Sequence, residues 1–371
     1  MNLVAAAAGA VERLPLPDSV TRAGIALLVD RTGRRLGLAD PSTERNFAAG
    51  MASYPIAERP DAANAQHYEL PPDFFALILG PARKYSCCLY DDGTETLAAA
   101  EQRALAETAV HAALADGQRI LELGCGWGSL SLWMAERYPS SDIVAVSNSA
   151  AQRGFIEAEA ARRGLSRLRV VTADMNDFDP GRRFDRIVSV EMWEHMSNWQ
   201  ALLRRVRGWV EADGRLFLHV FSHRSMPYRF DHADASDWIA QHFFTGGIMP
   251  SHGLIRHLDS EFRVEAEWRW SGVNYRRTAD DWLANYDANT VAIERILRDV
   301  YGREAMLWKR RWRLFFLATA GLFGARDGAE WGVSHYRLRP HPALGSNPPL
   351  GPNPPLGPHP PLGPHSPLGP G

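Results

Sequence analysis

The stretch Glu122-Leu123-Gly124-Cys125-Gly126-Trp127-Gly128 sets three glycines at alternate positions behind an acid. It follows a short apolar run and precedes a helical pattern. Glycines there let the backbone turn tightly and approach a ligand closely. The helix that follows offers free N–H groups to a carboxylate or hydroxyl. Nicotinamide-binding folds also use such a loop, but two details exclude that reading. Their fingerprint needs a glycine three residues after its second one, where this chain has Ser129, and an acid near the end of the second strand, where it has Ser147 and Asn148. The acid instead precedes the loop, and Asp174 follows the third strand. A second cluster, Glu191-Met192-Trp193-Glu194-His195, holds a carboxylate and an imidazole four residues apart. If that segment is helical they share a face, and such a pair can take a proton, the acid orienting the ring.

The elements that must position these groups alternate. Arg119–Leu123, Asp142–Ser147, Leu168–Ala173, Arg186–Val190 and Arg215–Phe221 read as strands. Helical patterns run to about Arg137, from Ala150 to Arg163, and from about Trp199 to Val210. Short apolar runs between amphipathic helices predict an α/β fold, a mainly parallel sheet with helices on both faces. Phe262–Trp270 and Trp331–Arg339 predict two late strands, an antiparallel pair. Thr278–Tyr301 and Arg303–Phe323 predict helices that cap the site. The expected organisation is a helical lid over 1–70, a main domain over 71–340 with a helical cap at about 225–325, and a disordered tail over 341–371. That tail repeats PPLGP with leucines at Leu350, Leu356, Leu362 and Leu368, too rich in Pro and Gly to pack.

With 371 residues, 45% of them apolar, the chain can bury a large core. A formal net charge of −2 gives no reason to expect nucleic acid as a partner. Three cysteines, two of them adjacent, fit neither a disulfide framework nor a zinc spacing, so no metal is expected. The apolar N-terminal stretch has no basic residue before it, unlike a signal peptide. The run from Leu314 to Phe323 is shorter than the roughly 20 residues that span a bilayer. A cytoplasmic location is the expectation. Arg310–Phe323, basic and then aromatic, fits either transient contact with a membrane surface or an ordinary packed helix.

The glycine loop with its leading acid resembles the signature of class I S-adenosylmethionine (SAM) methyltransferases. Further motifs extend the match: HYELPPDFF, YSCCLY, LELGCGWG, VSNSAAQ, DRIVSVEMWEHM and NYRRTADDW. Together they resemble the family of cyclopropane-fatty-acyl-phospholipid synthases and coclaurine-type N-methyltransferases over about three quarters of the chain. The resemblance implies a Rossmann-like sheet with helical additions over the site, and a homodimer as a common assembly. It implies that Ser86, Gly124, Asn148, Gln152, Asp174 and Met175 contact SAM, with Glu122, Gly126 and Gly128 completing the cofactor loop. Read from the residues alone, Asn148 and Gln152 also suit a helix cap and a solvated helix face.

The family's two branches do different chemistry. Synthases methylate a lipid alkene and close a ring, with bicarbonate as base, and Cys87, Glu194, His219 and Tyr275 match the ligands of that ion. N-methyltransferases take an amine, and their catalytic pair comes from an E-x-x-E-H motif, here Glu191 to His195. Glu191 stands where the synthases have Gly, whereas His219 and Tyr275 stand where the N-methyltransferases have Glu and Phe. Cys87 reads as a packed residue or backbone donor, since no step needs a thiolate. His219 lies within a strand and is either a core residue or a ligand. Glu191, Glu194 and Trp193 would hold an ammonium by charge and cation–π contact. The expected activity is methyl transfer from SAM to a small amine, with an unsaturated lipid chain as the alternative acceptor. A non-catalytic SAM-binding module is a third reading, against which the intact Glu191, Glu194 and His195 argue.

Overall fold

Five short apolar runs form parallel strands: β1 (Arg119–Leu123), β2 (Asp142–Ser147), β3 (Leu168–Thr172), β4 (Phe184–Val190) and β5 (Val210–His223). A small hairpin, β6 (Tyr228–Arg229) and β7 (Ile248–Met249), lies apart from them. Two further strands, β8 (Phe262–Ser271) and β9 (Trp331–Pro340), complete a seven-stranded sheet in the order β3-β2-β1-β4-β5-β9-β8. Only β9 runs antiparallel to both its neighbours. Ile120, Leu121, Leu123 and Ile143 to Val146 are buried, as expected of strands covered on both faces. The strand order reverses between β1 and β4, which opens a crevice at the carboxyl ends of these strands.

This computed structural model describes residues 12–14, 16–40, 42–58, 70–91, 93–234 and 237–341. The PPLGP tail, the Ala-rich N-terminal stretch and the start of HYELPPDFF lie outside them. The helices are α1 (Asp18–Gly37), α2 (Ser42–Gly50), α3 (Pro72–Ile78), α4 (Leu97–His111), α5 (Ser129–Arg137), α6 (Ala150–Arg163), α7 (Trp199–Trp209), α8 (Trp238–His242), α9 (Gly272–Ala288), α10 (Thr290–Tyr301) and α11 (Ala305–Phe323). Polar caps start several of them: Thr96, Ser149, Asn198 and Ser271 each accept a backbone N–H of the following turn.

The single helix expected over Thr278–Tyr301 is two. Asn289 breaks it, its side chain donating to the carbonyls of Leu77 (2.9 Å) and Asn285 (3.0 Å), a local bond that competes with helical continuation. Trp282, Tyr286, Trp312 and Phe316 of α9 and α11 pack with Phe74 and Phe75 of α3 into one buried aromatic cluster. The basic start of α11 is tied down: Arg311 pairs with Glu12 (3.2 Å), and Arg313 with Asp18 (2.6 Å) and Asp287 (2.8 Å). Its aromatic face is spent on this core. No helix among the described residues is long and apolar enough to cross a membrane.

Candidate active site

At the end of β1 the chain turns through the glycine loop into α5. The N–H groups of Gly124 and Cys125 both reach Val146 O (3.0 and 2.9 Å), tying the loop to β2. Gly124, Gly126 and Gly128 have φ of 79°, 52° and 79°, where side chains cost about 1 kcal/mol or more. A Cβ on Gly128 would stand 2.6 Å from Cγ1 of Ile156, so packing demands that glycine. On Gly126 it would meet no protein atom within 4 Å, so the backbone there forms an open cradle. Glu122 sits behind the loop, bonded to the Ser131 hydroxyl of α5. Burial pushes its carboxyl up to about 7, with Ser131 opposing. It braces the loop from beneath and does not line the cleft.

A cleft opens above the loop, and Gly124, Gly126, Asn148, Gln152, Asp174 and Met175 line it. Ser86 and Gly128, like Glu122, do not. The Gln152 side chain accepts from Ser147 (2.6 Å) through Oε1, leaving a buried Nε2 with no hydrogen-bond partner, a donor that suits an incoming carboxylate or hydroxyl. Asn176 clasps the backbone of Ala57 by two 3.1 Å bonds and so holds Ala57 against the cleft. Ala57, Met192, Met196 and Thr245 also line it. The sequence reading missed them, because nothing in the type or spacing of Ala57 or Thr245 marks them, and the methionines hid inside the acidic motif.

Glu191 follows β4 in a left-handed conformation, φ 48°, its N–H bonded to His219 O (2.8 Å). It is one of the residues that line the cleft. Its carboxylate Oε1 accepts from Cys87 N–H (3.0 Å) and faces His219 Nε2 (3.2 Å), and Oε2 accepts from the Tyr275 hydroxyl (2.6 Å). Burial raises the Glu191 carboxyl above the usual range, opposed by Lys84, Cys87 N–H and Tyr275. Lys84 in turn donates to Ser86 Oγ (2.5 Å) and Cys87 O (2.7 Å), fixing the loop that carries Cys87. Glu194 accepts from Phe221 N–H (2.6 Å). Burial and then the Glu191 charge push its carboxyl well above the usual range.

This geometry corrects three expectations. Glu191 and His195 do not share a helical face: the segment is a left-handed residue followed by one 3₁₀ turn over Trp193–His195. The His195 ring lines the cleft and stacks on Phe244, with ring centres 4.3 Å apart. Trp193 is no ammonium platform, since its ring is fully buried against Trp199. Bicarbonate does not fit the set Cys87, Glu194, His219 and Tyr275. Three of those groups face the Glu191 carboxylate, and a second buried anion beside it would be repelled. The Cys87 thiol, raised by burial, serves no anion; its backbone N–H is what binds.

Residues 57–328 match the family model described as mycolic acid cyclopropane synthetase. The (S)-coclaurine N-methyltransferase of Thalictrum flavum subsp. glaucum is 35% identical over 295 residues, 78% of this chain and 82% of its own. The cyclopropane-fatty-acyl-phospholipid synthase of Escherichia coli K12 is 30% identical over 270 residues, covering 72% and 66%. A crystal structure of coclaurine N-methyltransferase bound to N-methylheliamine and SAH superposes with a TM-score of 0.84 at 31% identity, covering 89% of this chain and 98% of that one.

Proposed function

The chain belongs to the mycolic acid cyclopropane synthetase family and is a SAM-dependent methyltransferase, and on that premise we propose that its acceptor is a small amine. The observation that carries this reading is the carboxylate of the cleft-lining Glu191, which accepts from Cys87 N–H and the Tyr275 hydroxyl and faces His219. An ammonium must lose its proton before nitrogen can attack, and a fixed carboxylate raised toward neutrality is suited to take it. The relatives named for amine acceptors point the same way.

SAM, when bound, supplies a methyl group on a sulfonium. The residues that would hold it fit: the open cradle at Gly126, the unpartnered Gln152 donor and the Asp174 carboxylate. Ala57, Met192 and Met196 give the cleft an apolar wall. The protein's share of the chemistry is then placement and proton removal. Glu191 takes the proton, Tyr275 and Cys87 N–H keep its carboxylate aimed, and His195 on Phe244 bounds the acceptor side. A lipid alkene is less well served, because the groups that would hold its separate base are engaged with Glu191.

The test is product chemistry. Full-length protein is incubated with SAM and either (S)-coclaurine and tetrahydroisoquinoline or vesicles of unsaturated phosphatidylethanolamine. Proton NMR should show a new N-methyl signal with an amine and no cyclopropane signal with the lipid. The reverse pattern would sink the proposal.

A further inference from the structure

Behind Glu191 a file of three buried imidazoles leads to the surface. His219 on β5 and His335 on β9 face each other in register, so their side chains share one face of the sheet. His219 Nδ1 meets His335 Nε2 at 2.8 Å, and His335 Nδ1 meets His111 Nδ1, at the end of α4, at 2.8 Å. His111 Nε2 reaches the Glu107 carboxylate at 2.9 Å, and the Glu107 side chain is 41% exposed. At the inner end His219 Nε2 faces Glu191 Oε1. All six ring nitrogens are therefore used once each. Trp268 stacks on His111 with ring centres 3.8 Å apart, and Trp270 and Phe217 flank His335, which holds the rings in place.

A neutral imidazole has one donor and one acceptor nitrogen. The orientation of one ring therefore dictates the next. The Glu107 carboxylate requires N–H on Nε2 of His111. His111 Nδ1 is then an acceptor, so His335 must donate from Nδ1 and accept at Nε2. His219 must then donate from Nδ1, and its Nε2 turns a lone pair toward Glu191. We propose that Glu107 sets, through these rings, the face that His219 presents to Glu191, and thereby makes Glu191 a stronger base. A lone pair opposite Oε1 repels the carboxylate and welcomes its protonated form, whereas an N–H there would stabilise the carboxylate. This rests on the reading of Glu191 as the proton acceptor. Burial drives His219 and His335 well below the usual histidine range and lowers His111, so the rings are neutral as the logic requires. The other charged or titratable groups near the file are Lys84, Cys87, Tyr275 and Glu194 around Glu191, and Arg337 beside His111.

The test compares full-length wild type with Glu107→Lys, whose ammonium can only donate, and Glu107→Ala, which leaves the outer end undirected. Nitrogen-15 NMR of labelled histidines reads each tautomer, and carbon-13 NMR of the Glu191 carboxyl, assigned through Glu191→Gln, reads its titration. Neither needs an acceptor. In wild type His219 should carry its proton on Nδ1. In Glu107→Lys all three rings should invert, and the Glu191 titration should fall by about one to two pH units, ten- to a hundredfold in proton affinity, with Glu107→Ala between. The rising limb of kcat/KM against pH for tetrahydroisoquinoline should move down equally. Wild-type His219 protonated on Nε2, or an unmoved Glu191 titration after His111 inverts, would overturn the proposal. If wild type methylates no amine while the tautomers and titration shift as stated, the acceptor reading fails and the coupling stands.

Discussion

The Tyr275 hydroxyl lies 2.6 Å from Oε2 of Glu191, on the side of the carboxylate away from Cys87 N–H. The phenol, pushed up by burial and by the Glu191 charge, stays protonated and donates. Tyr275→Phe removes one donor from the carboxylate and so raises its proton affinity. With Glu191 as the proposed base, turnover rises with pH through its titration and is lost below it. The rising limb should therefore move up by about one pH unit, and activity should return to within a few-fold of wild type above it. Glu191→Ala should lose 100-fold or more at every pH, since a general base typically contributes about 10² to 10⁴. A pH–rate series on the three proteins checks both statements. Equal damage from the two changes at high pH would mean that the phenol does more than support the carboxylate.

The loop glycines separate folding from binding. Gly126→Ala keeps clear of all protein atoms, so its stability loss should be only the left-handed strain, about 1 kcal/mol. Its methyl enters the open cradle, and SAM affinity should fall by tenfold or more. Gly128→Ala adds a clash with Ile156, so its loss should be larger, about 2 to 4 kcal/mol once overpacking is included. Thermal melts and titration calorimetry with SAM distinguish the two, and a Gly126→Ala protein that binds SAM normally would refute the cradle.

A sequence carries local rules well and long-range contacts poorly, and this chain divides along that line. The alternation of strands and helices, the two late strands and the glycine turn all follow from periodicity and glycine chemistry within a few neighbouring residues. The partners of Glu191 do not. Cys87, His219 and Tyr275 lie 104, 28 and 84 positions away, and their convergence comes from β5 lying beside β4 and from α9 packing across the end of the sheet. The family resemblance put those residues near one another around a bicarbonate, but not around Glu191 itself. Spacing alone would place Glu191 and His195 on one face only if the segment were helical, and nothing local announces the left-handed glutamate that stands there instead.

Gln152 offers a test of the donor site without touching the acceptor. Its Nε2 is buried and unpartnered, while Oε1 accepts from Ser147. An unmet buried donor costs roughly 1 to 3 kcal/mol. Gln152→Leu should thus leave stability within about 1 kcal/mol, because Ser147 loses its acceptor while the unmet donor disappears. SAM affinity should nevertheless drop by about tenfold, the loss of one hydrogen bond to a charged or hydroxyl group. If SAM binds as before, Nε2 is not a ligand contact and the cofactor lies elsewhere on the wall.

Glu122 makes the loop's stability depend on pH. Its carboxyl is raised from 4.5 to about 7 by burial, with the Ser131 hydroxyl pulling the other way. The folded state therefore favours the protonated form. Between those values the folded protein holds a proton that the unfolded chain has released, so stability falls as pH rises. The contribution is complete below about pH 4.5, is lost by the time pH passes about 7, and amounts to about 3 kcal/mol across the window. Glu122→Gln carries no proton to lose and keeps a side chain that can bond Ser131, so its curve lacks this slope. Denaturant melts of both proteins from pH 4.5 to 7.5 should show the variant gaining steadily on wild type and then running parallel above pH 7. Parallel curves through the whole window would mean that the carboxyl is already ionised when folded, and that Ser131, not burial, governs the brace beneath the glycine loop.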